Sequence, residues 1–146
     1  MLTTPPIPEV AGRLRLVVAR TARRLRQEAG ADLSPSQSSA LAAIERHGPL
    51  TPSELANHER VQRPTATRVI ARLEEAGLVE RASDPADRRS CLLTASAEGR
   101  TLLRRQRSRK NQFLARRLAT LEPDEVATLD RAAAILERLL DQEGRR

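Results

Sequence analysis

Aromatic side chains are almost absent from this chain of 146 residues: Phe113 is the single one, and neither Trp nor Tyr occurs. Its core must therefore be built from Leu, Val, Ile and Ala, without bulky aromatic anchors. Cysteine is as scarce. With Cys91 alone, no intrachain disulfide can form and nothing points to an oxidising compartment. No run approaches the ~18 apolar residues of a membrane span, and the opening MLTTPPIPEV lacks the apolar region of a secretory leader. A soluble cytoplasmic protein is the expectation.

The constellations that carry covalent chemistry are missing as well. There is no Ser/His/Asp or Cys/His set, no phosphate-binding glycine loop and no zinc pattern, and the carboxylates are scattered over helical surfaces. His47, His58, Glu59 and Cys91 do not form a metal-ligand spacing, and Cys91 reads as a small core residue. No enzyme, metal or cofactor is expected.

What is present is positive charge: a formal net charge of +7 and a pI near 11.3 favour polyanionic partners. Its excess sits in one block. Residues 101–121 carry seven Lys or Arg and no acid, whereas residues 122–146 carry four basic residues against seven acids. Arg104, Arg105, Arg107, Arg109, Lys110, Arg116 and Arg117 surround Leu102, Leu103, Phe113 and Leu114, so many of these charges must face water. A solvated helix face that pairs with acids among Glu122 to Glu143 is the plainer reading of the block; a second polyanion site is the alternative.

The length suits one domain, or one domain with an appended helical arm. A proline-punctuated tail, residues 1–9, is expected to stay extended. Val10, Leu14, Val17, Val18, Ala22 and Leu25 then recur at helical spacing until Gly30. Two capping boxes follow, SPSQ and TPSE, each with a hydroxyl cap, proline at the first helical position and Gln37 or Glu54 three residues beyond the cap. They predict a helix from Pro35 to His47 and a short one carrying Leu55 and Ala56. A fourth helix runs from Arg63 to Glu75 with Val69, Ile70 and Leu73 inward, Thr65, Arg68 and Arg72 outward, and Gly77 closing it.

Residues 78–82 and 90–95 are β-compatible stretches on either side of DPADRR, and the three together read as a hairpin. Ser96 caps a long helix reaching about Thr120. LEPDE opens a last helix with the apolar stripe Val126, Leu129, Ala133, Leu136 and Leu140. Such an order, mainly α with a small β-hairpin, is the plan of a winged helix-turn-helix. Its fourth helix suits the major groove, which displays a distinct pattern for each base pair, and its hairpin loop is placed to reach a minor groove.

At this level of detail the chain resembles the MarR family of bacterial transcriptional regulators, from about Val10 to Leu140. The runs LSPSQSSALAAI, LTPSELA, RPTATRVIARLEEAGLVER, DPADRRS and SAEGRTLL stand in the family's order and near its usual spacing. The resemblance implies a homodimer built from a helical region, residues 10–30 and 97–143, and a winged helix-turn-helix, residues 33–96, that straddles a pseudopalindromic operator in double-stranded DNA, most often as a repressor. Apolar stripes on three terminal helices fit this, since one small winged domain cannot bury them all.

Matched position by position, the resemblance assigns DNA contact to Gln62, Arg63, Pro64, Thr65, Thr67 and Arg68 on the fourth helix. Asp87 and Arg89 would serve in the loop, the aspartate aiming the arginine into the minor groove. Arg88 would meet phosphate or solvent, and Arg72 divides evenly between DNA contact and a solvated face. Two positions depart from the family pattern. Gln62 replaces the usual serine before arginine-proline and is a poorer cap, and Ala95 stands where a leucine often ends the second wing strand. Many members also bind small aromatic anions; here Arg13 or Arg20 would hold the charge and Phe113 the ring. The rival from another class is a basic RNA-associated or protein-interaction module that uses the arginine block at 104–117.

Overall fold

Proline placement sets the helix starts. The structure, a computed structural model, describes residues 3–141. Its elements run α1 (Ile7–Ala29), α2 (Pro35–His47), α3 (Pro52–Glu59), α4 (Arg63–Glu75), β1 (Val79–Ser83), β2 (Cys91–Ala95), α5 (Ala97–Leu118) and α6 (Pro123–Asp141). Pro35, Pro52 and Pro123 each open a helix, where the missing N–H costs nothing and the fixed φ suits the first turn. Both expected capping boxes form: Ser34 Oγ accepts from the Gln37 N–H at 3.2 Å and Thr51 Oγ1 from the Glu54 N–H at 3.2 Å. The Gln37 and Glu54 side chains accept in return from the cap N–H groups, at 2.9 and 3.3 Å.

α1 begins at Ile7, ahead of Val10, so the extended tail is shorter than expected. Pro8 lies in its first turn and leaves the i→i−4 ladder intact. Of the expected tail, Met1 and Leu2 lie outside the described residues, as do the last two residues of the expected 97–143 region.

The core is aliphatic. Leu41 and Ile44 of α2, Leu55 of α3, Ile70 and Leu73 of α4 and Leu93 of β2 are its largest fully buried side chains, with Leu50, Leu78, Val79 and Leu103 closing around them. On α4 the buried positions Ala66, Ile70 and Leu73 follow the i, i+4, i+7 rule of a helix with one inward stripe. β1 and β2 pair antiparallel, with Val79 opposite Ala95, Arg81 opposite Leu93 and Ser83 opposite Cys91. Leu50 adds a bridge beside the hairpin, exchanging backbone hydrogen bonds with Leu93 at 3.1 and 2.7 Å.

Two small residues fasten α5 to the base of the hairpin. The buried Ser96 Oγ donates to the Gly77 carbonyl at 2.6 Å and accepts from the Gly99 N–H at 3.0 Å, which caps the helix and ties it to the end of α4. At Gly99 the helix passes so close to Leu78 that an added Cβ would lie 2.3 Å from the Leu78 carbonyl oxygen.

By internal contact the chain divides into two compact units, Met1–Lys110 and Asn111–Arg146. In the first, α1 buries only Ala29, and Leu14, Val17 and Val18 face solvent. In the second, no residue of α6 is buried, and Val126, Leu129 and Leu140 are exposed. Gly99→Ala should therefore destabilise the protein by about 1–3 kcal/mol through overpacking against the Leu78 carbonyl. Ser96→Ala should cost a similar ~1–3 kcal/mol by orphaning the Gly77 carbonyl and the α5 N-terminus. Denaturant unfolding at constant m-value checks both.

Candidate nucleic-acid interface

The turn between α3 and α4 is made by one residue in the left-handed region. Arg60 ends α3 at φ 53° and ψ 43°, and the Val61 N–H folds back to the Ala56 carbonyl at 3.0 Å. At the last residue of α3, Ser39 of α2 donates to both carboxylate oxygens of Glu59, at 2.7 and 3.0 Å, which clasps the two helices at this end. Gln62 then stands in extended conformation before α4 and makes no side-chain cap. The first N–H groups of α4 thus lack an internal acceptor from the cap residue, as the substitution of serine by glutamine leads one to expect.

Inward burial of Ala66, Ile70 and Leu73 turns the other side of α4 to solvent. Gln62, Arg63, Pro64, Thr67, Arg68 and Arg72 are exposed there, and Thr65 is half-buried at the border. Two of these side chains are already engaged. Arg63 Nη1 donates to Ser53 Oγ of α3 at 2.6 Å, and the Thr67 hydroxyl donates to the Arg63 carbonyl at 2.9 Å. Among the described residues the guanidinium groups of Arg68 and Arg72, one helical turn apart, have no ion-pair partner.

At the hairpin tip, two aspartates shape the backbone. Asp84 Oδ1 accepts from the Ala86 N–H at 2.9 Å, Asp87 Oδ1 accepts from the Arg89 N–H at 3.0 Å, and the Asp87 carbonyl accepts from the Ser90 N–H at 3.0 Å. These are Asx turns, in which a short carboxylate stands in for a backbone acceptor. Asp87 therefore acts on Arg89 through the main chain instead of gripping its guanidinium, and both Arg88 and Arg89 point their charge to an exposed tip.

The hairpin strands hold contacts that the sequence does not announce. Arg81 of β1 forms an ion pair with Glu74 of α4 at 2.5 Å, and its Nη1 lies 3.5 Å from the Cys91 sulfur on β2. Hydrogen bonding to Glu74 raises the Arg81 pKa above the ordinary arginine value. A seven-residue separation across a helix end and a turn follows neither helical nor strand periodicity, so only the folded chain reveals it. Ser53, by contrast, is the third residue of the TPSE box and the exposed second residue of α3, a position the box itself marks.

The basic block on α5 is largely occupied. Arg107 pairs with Glu45 of α2 at 3.0 Å, and this hydrogen bond holds the Glu45 carboxyl below its usual range. Arg109 donates to the Ala29 carbonyl at 3.1 Å and lies 3.8 Å from Asp32. Arg104 donates to Thr101 at 3.1 Å, and in the second unit Arg117 sits 5.2 Å over the ring of Phe113. Engagement of this kind suits packing and solvation better than a polyanion site.

A cavity of about 510 Å³ opens between α1, α2 and α5, with Leu25, Leu33 and Leu103 among its apolar lining and Arg26, Arg107 and Lys110 among its polar lining. Neither Arg13 nor Arg20 reaches it. Both lie farther along α1 in the exposed stretch, while Arg26, near the C-terminal end of the same helix, does line the cavity. Among the described residues no group of three or more His, Cys, Asp or Glu is placed to hold a metal, and no helix is long and apolar enough to cross a membrane.

Comparison with known proteins agrees with this geometry. The family profile described as MarR family matches residues 33–91. An HTH-type transcriptional regulator of Mycobacterium tuberculosis is 40% identical over 91% of this chain and 94% of its own length. The multiple antibiotic resistance protein MarR of Salmonella typhimurium is 33% identical over 68% of this chain and 69% of its own. Streptococcus pneumoniae FabT, solved in complex with DNA, superposes with a TM-score of 0.70 over 94% of this chain and 99% of its own, at 19% identity, which speaks for the fold alone. With an exposed, arginine-bearing α4, a hairpin wing beside it and a relative 40% identical over 91% of its length, the chain belongs to the MarR family of DNA-binding transcriptional regulators.

Proposed function

We propose that the protein is a cytoplasmic, homodimeric repressor that reads a pseudopalindromic operator, with α4 of each copy in the major groove and each wing tip at the neighbouring minor groove. The observation that carries this reading is the pair Arg68 and Arg72, exposed and unpaired on the face of α4 that Ala66, Ile70 and Leu73 turn outward. A guanidinium without an internal partner keeps both its charge and its forked donors for guanine edges or phosphate. Gln62, Arg63, Pro64, Thr65 and Thr67 complete the reading surface. Arg88 and Arg89 supply charge at the wing, where a narrow minor groove attracts arginine.

Homodimerisation accounts for the apolar faces. Leu14, Val17 and Val18 on α1 and Val126, Leu129 and Leu140 on α6 are too many exposed aliphatic side chains for a stable lone chain. A second copy covers both stripes at once. Their borders are complementary in charge, since α1 is rich in arginine and α6 in Asp and Glu. The cavity between α1, α2 and α5 has a volume within the ~300–1,000 Å³ usual for small-molecule sites. Its aliphatic walls and basic residues suit an amphipathic anion, with Arg26 placed to hold its charge. Binding there would release DNA by favouring a spacing of the two α4 helices that misfits the operator.

Selection of bound fragments from random-sequence DNA should enrich an inverted repeat with half-sites about one helical turn apart; a monomeric or featureless enriched sequence would sink the reading. Against the enriched duplex, Arg68→Ala should cost ~1–3 kcal/mol relative to random DNA, while Arg104→Ala should act weakly and without sequence preference. Arg89→Ala should lower affinity and leave the sedimentation coefficient of the dimer unchanged. Leu129→Glu should shift sedimentation toward the monomer, because it sets a charge in a buried apolar seam.

A further inference from the structure

The wing carries little core packing of its own. Of β1 only Val79 is buried, and on β2 Leu93 and Ala95 are buried with Cys91 half-buried against the core, so β1 beyond Val79 and the loop after Ser83 are held mainly through β2. Two isolated strands of five residues are marginal in water. One side chain reaches from the middle of β1 back to the helix. Arg81 Nε donates to Glu74 Oε1 on the last turn of α4 at 2.5 Å, and its Nη1 meets the Cys91 sulfur at 3.5 Å. Arg81 stands opposite Leu93, which makes Cys91 its diagonal neighbour on the same hairpin face. A single planar fork therefore touches α4 and both strands.

Resting on the reading of α4 and the wing as DNA contacts, we infer that Arg81 and Glu74 are positioning residues for binding, a strut that sets the distance between the major-groove helix and the wing tip. Energetically such a pair does little for stability: the side chains are 43% and 30% exposed, and solvent screening with the entropy of holding two long side chains offsets most of the attraction in a surface ion pair. Its effect on binding is of another kind. Arg68 and Arg89 sit on two elements, and the second contact gains from the first only if the link between them holds the span the DNA requires. A wing free to swing about its base loses that gain while the core, the caps and the reading face of α4 stay intact.

Electrostatics and positioning predict opposite signs for one substitution. Glu74→Ala removes a negative charge from α4, so charge alone predicts tighter binding, whereas loss of the strut predicts weaker binding. Affinity is measured for the duplex enriched by the wild-type chain from random DNA, with thermal unfolding followed on each variant. We expect Glu74→Ala to weaken binding about tenfold, with an unfolding temperature near that of the wild type. Arg89→Ala should then cost little in the Glu74→Ala background, while Arg68→Ala keeps its full cost in both backgrounds. The charge-swapped pair Glu74→Arg with Arg81→Glu, which conserves net charge, should recover most of the lost affinity.

Binding by Glu74→Ala at or above the wild-type strength overturns the strut, as does an Arg89→Ala penalty that is the same with and without Glu74. Equal weakening of the Arg68 and Arg89 contributions, together with a fallen unfolding temperature, marks general destabilisation and overturns it too. If the wild-type chain enriches no sequence, the DNA reading fails and the strut fails with it. That result is distinguishable from the others because Arg68→Ala is then also silent.

Discussion

Leu93 is the residue on which the geometry of this protein turns. It is fully buried, it belongs to the wing, it packs among side chains of α2, α3 and α4, and its backbone is bridged to Leu50 in the connection between α2 and α3. A hairpin too small to be stable alone is thereby anchored in the same aliphatic cluster that fixes the reading helix. In a chain nearly free of aromatics, no single large side chain can do this. Close packing of Leu, Ile and Val from six elements takes its place, and at Gly99 the backbone of α5 crosses the Leu78 carbonyl so closely that no room is left for even a methyl group.

From that anchor outward, each layer is less packed and more polar. The core holds the inner face of α4, capping boxes and the Ser39 to Glu59 clasp hold the turn before it, and Arg81 ties β1 to its last turn. At the rim, Asx turns at Asp84 and Asp87 shape the tip without burying anything. The gradient matches what DNA recognition asks: a rigid floor, donors on top that are not already spent, and a tip whose backbone is set although its side chains are solvated.

The same contrast separates the two sets of arginines. Those of α5 are numerous but mostly answered within the fold, by Glu45, Asp32, Thr101 or the Ala29 carbonyl. Those of α4 and the wing tip are fewer and open. On the proposed reading, count of charge is a poor guide to the interface, and availability of the guanidinium is a better one. Arg63 shows the intermediate case, exposed yet held by Ser53.

Local chemistry made much of this readable in advance. Helix starts follow from Ser34-Pro35 and Thr51-Pro52 because a cap and a fixed φ act within one turn of chain. The limits of α4 follow from its apolar stripe and Gly77, whose φ of 73° suits a residue without a side chain. Exposure of Arg68 and Arg72 follows from the same stripe, because helical periodicity that buries three positions must turn the others out. Where local rules end, so does foresight. That Asp87 engages the Arg89 main chain, that Arg81 finds Glu74 across a turn, that Arg26 and not Arg13 or Arg20 lines the cavity, and that Arg107 is answered by Glu45 all depend on which surfaces the core brings face to face. Sequence alone determined the elements, their order and their outward faces, since these arise from interactions within a few residues. Tertiary structure decided the partners of the charged side chains, since packing of distant segments sets the distances between them.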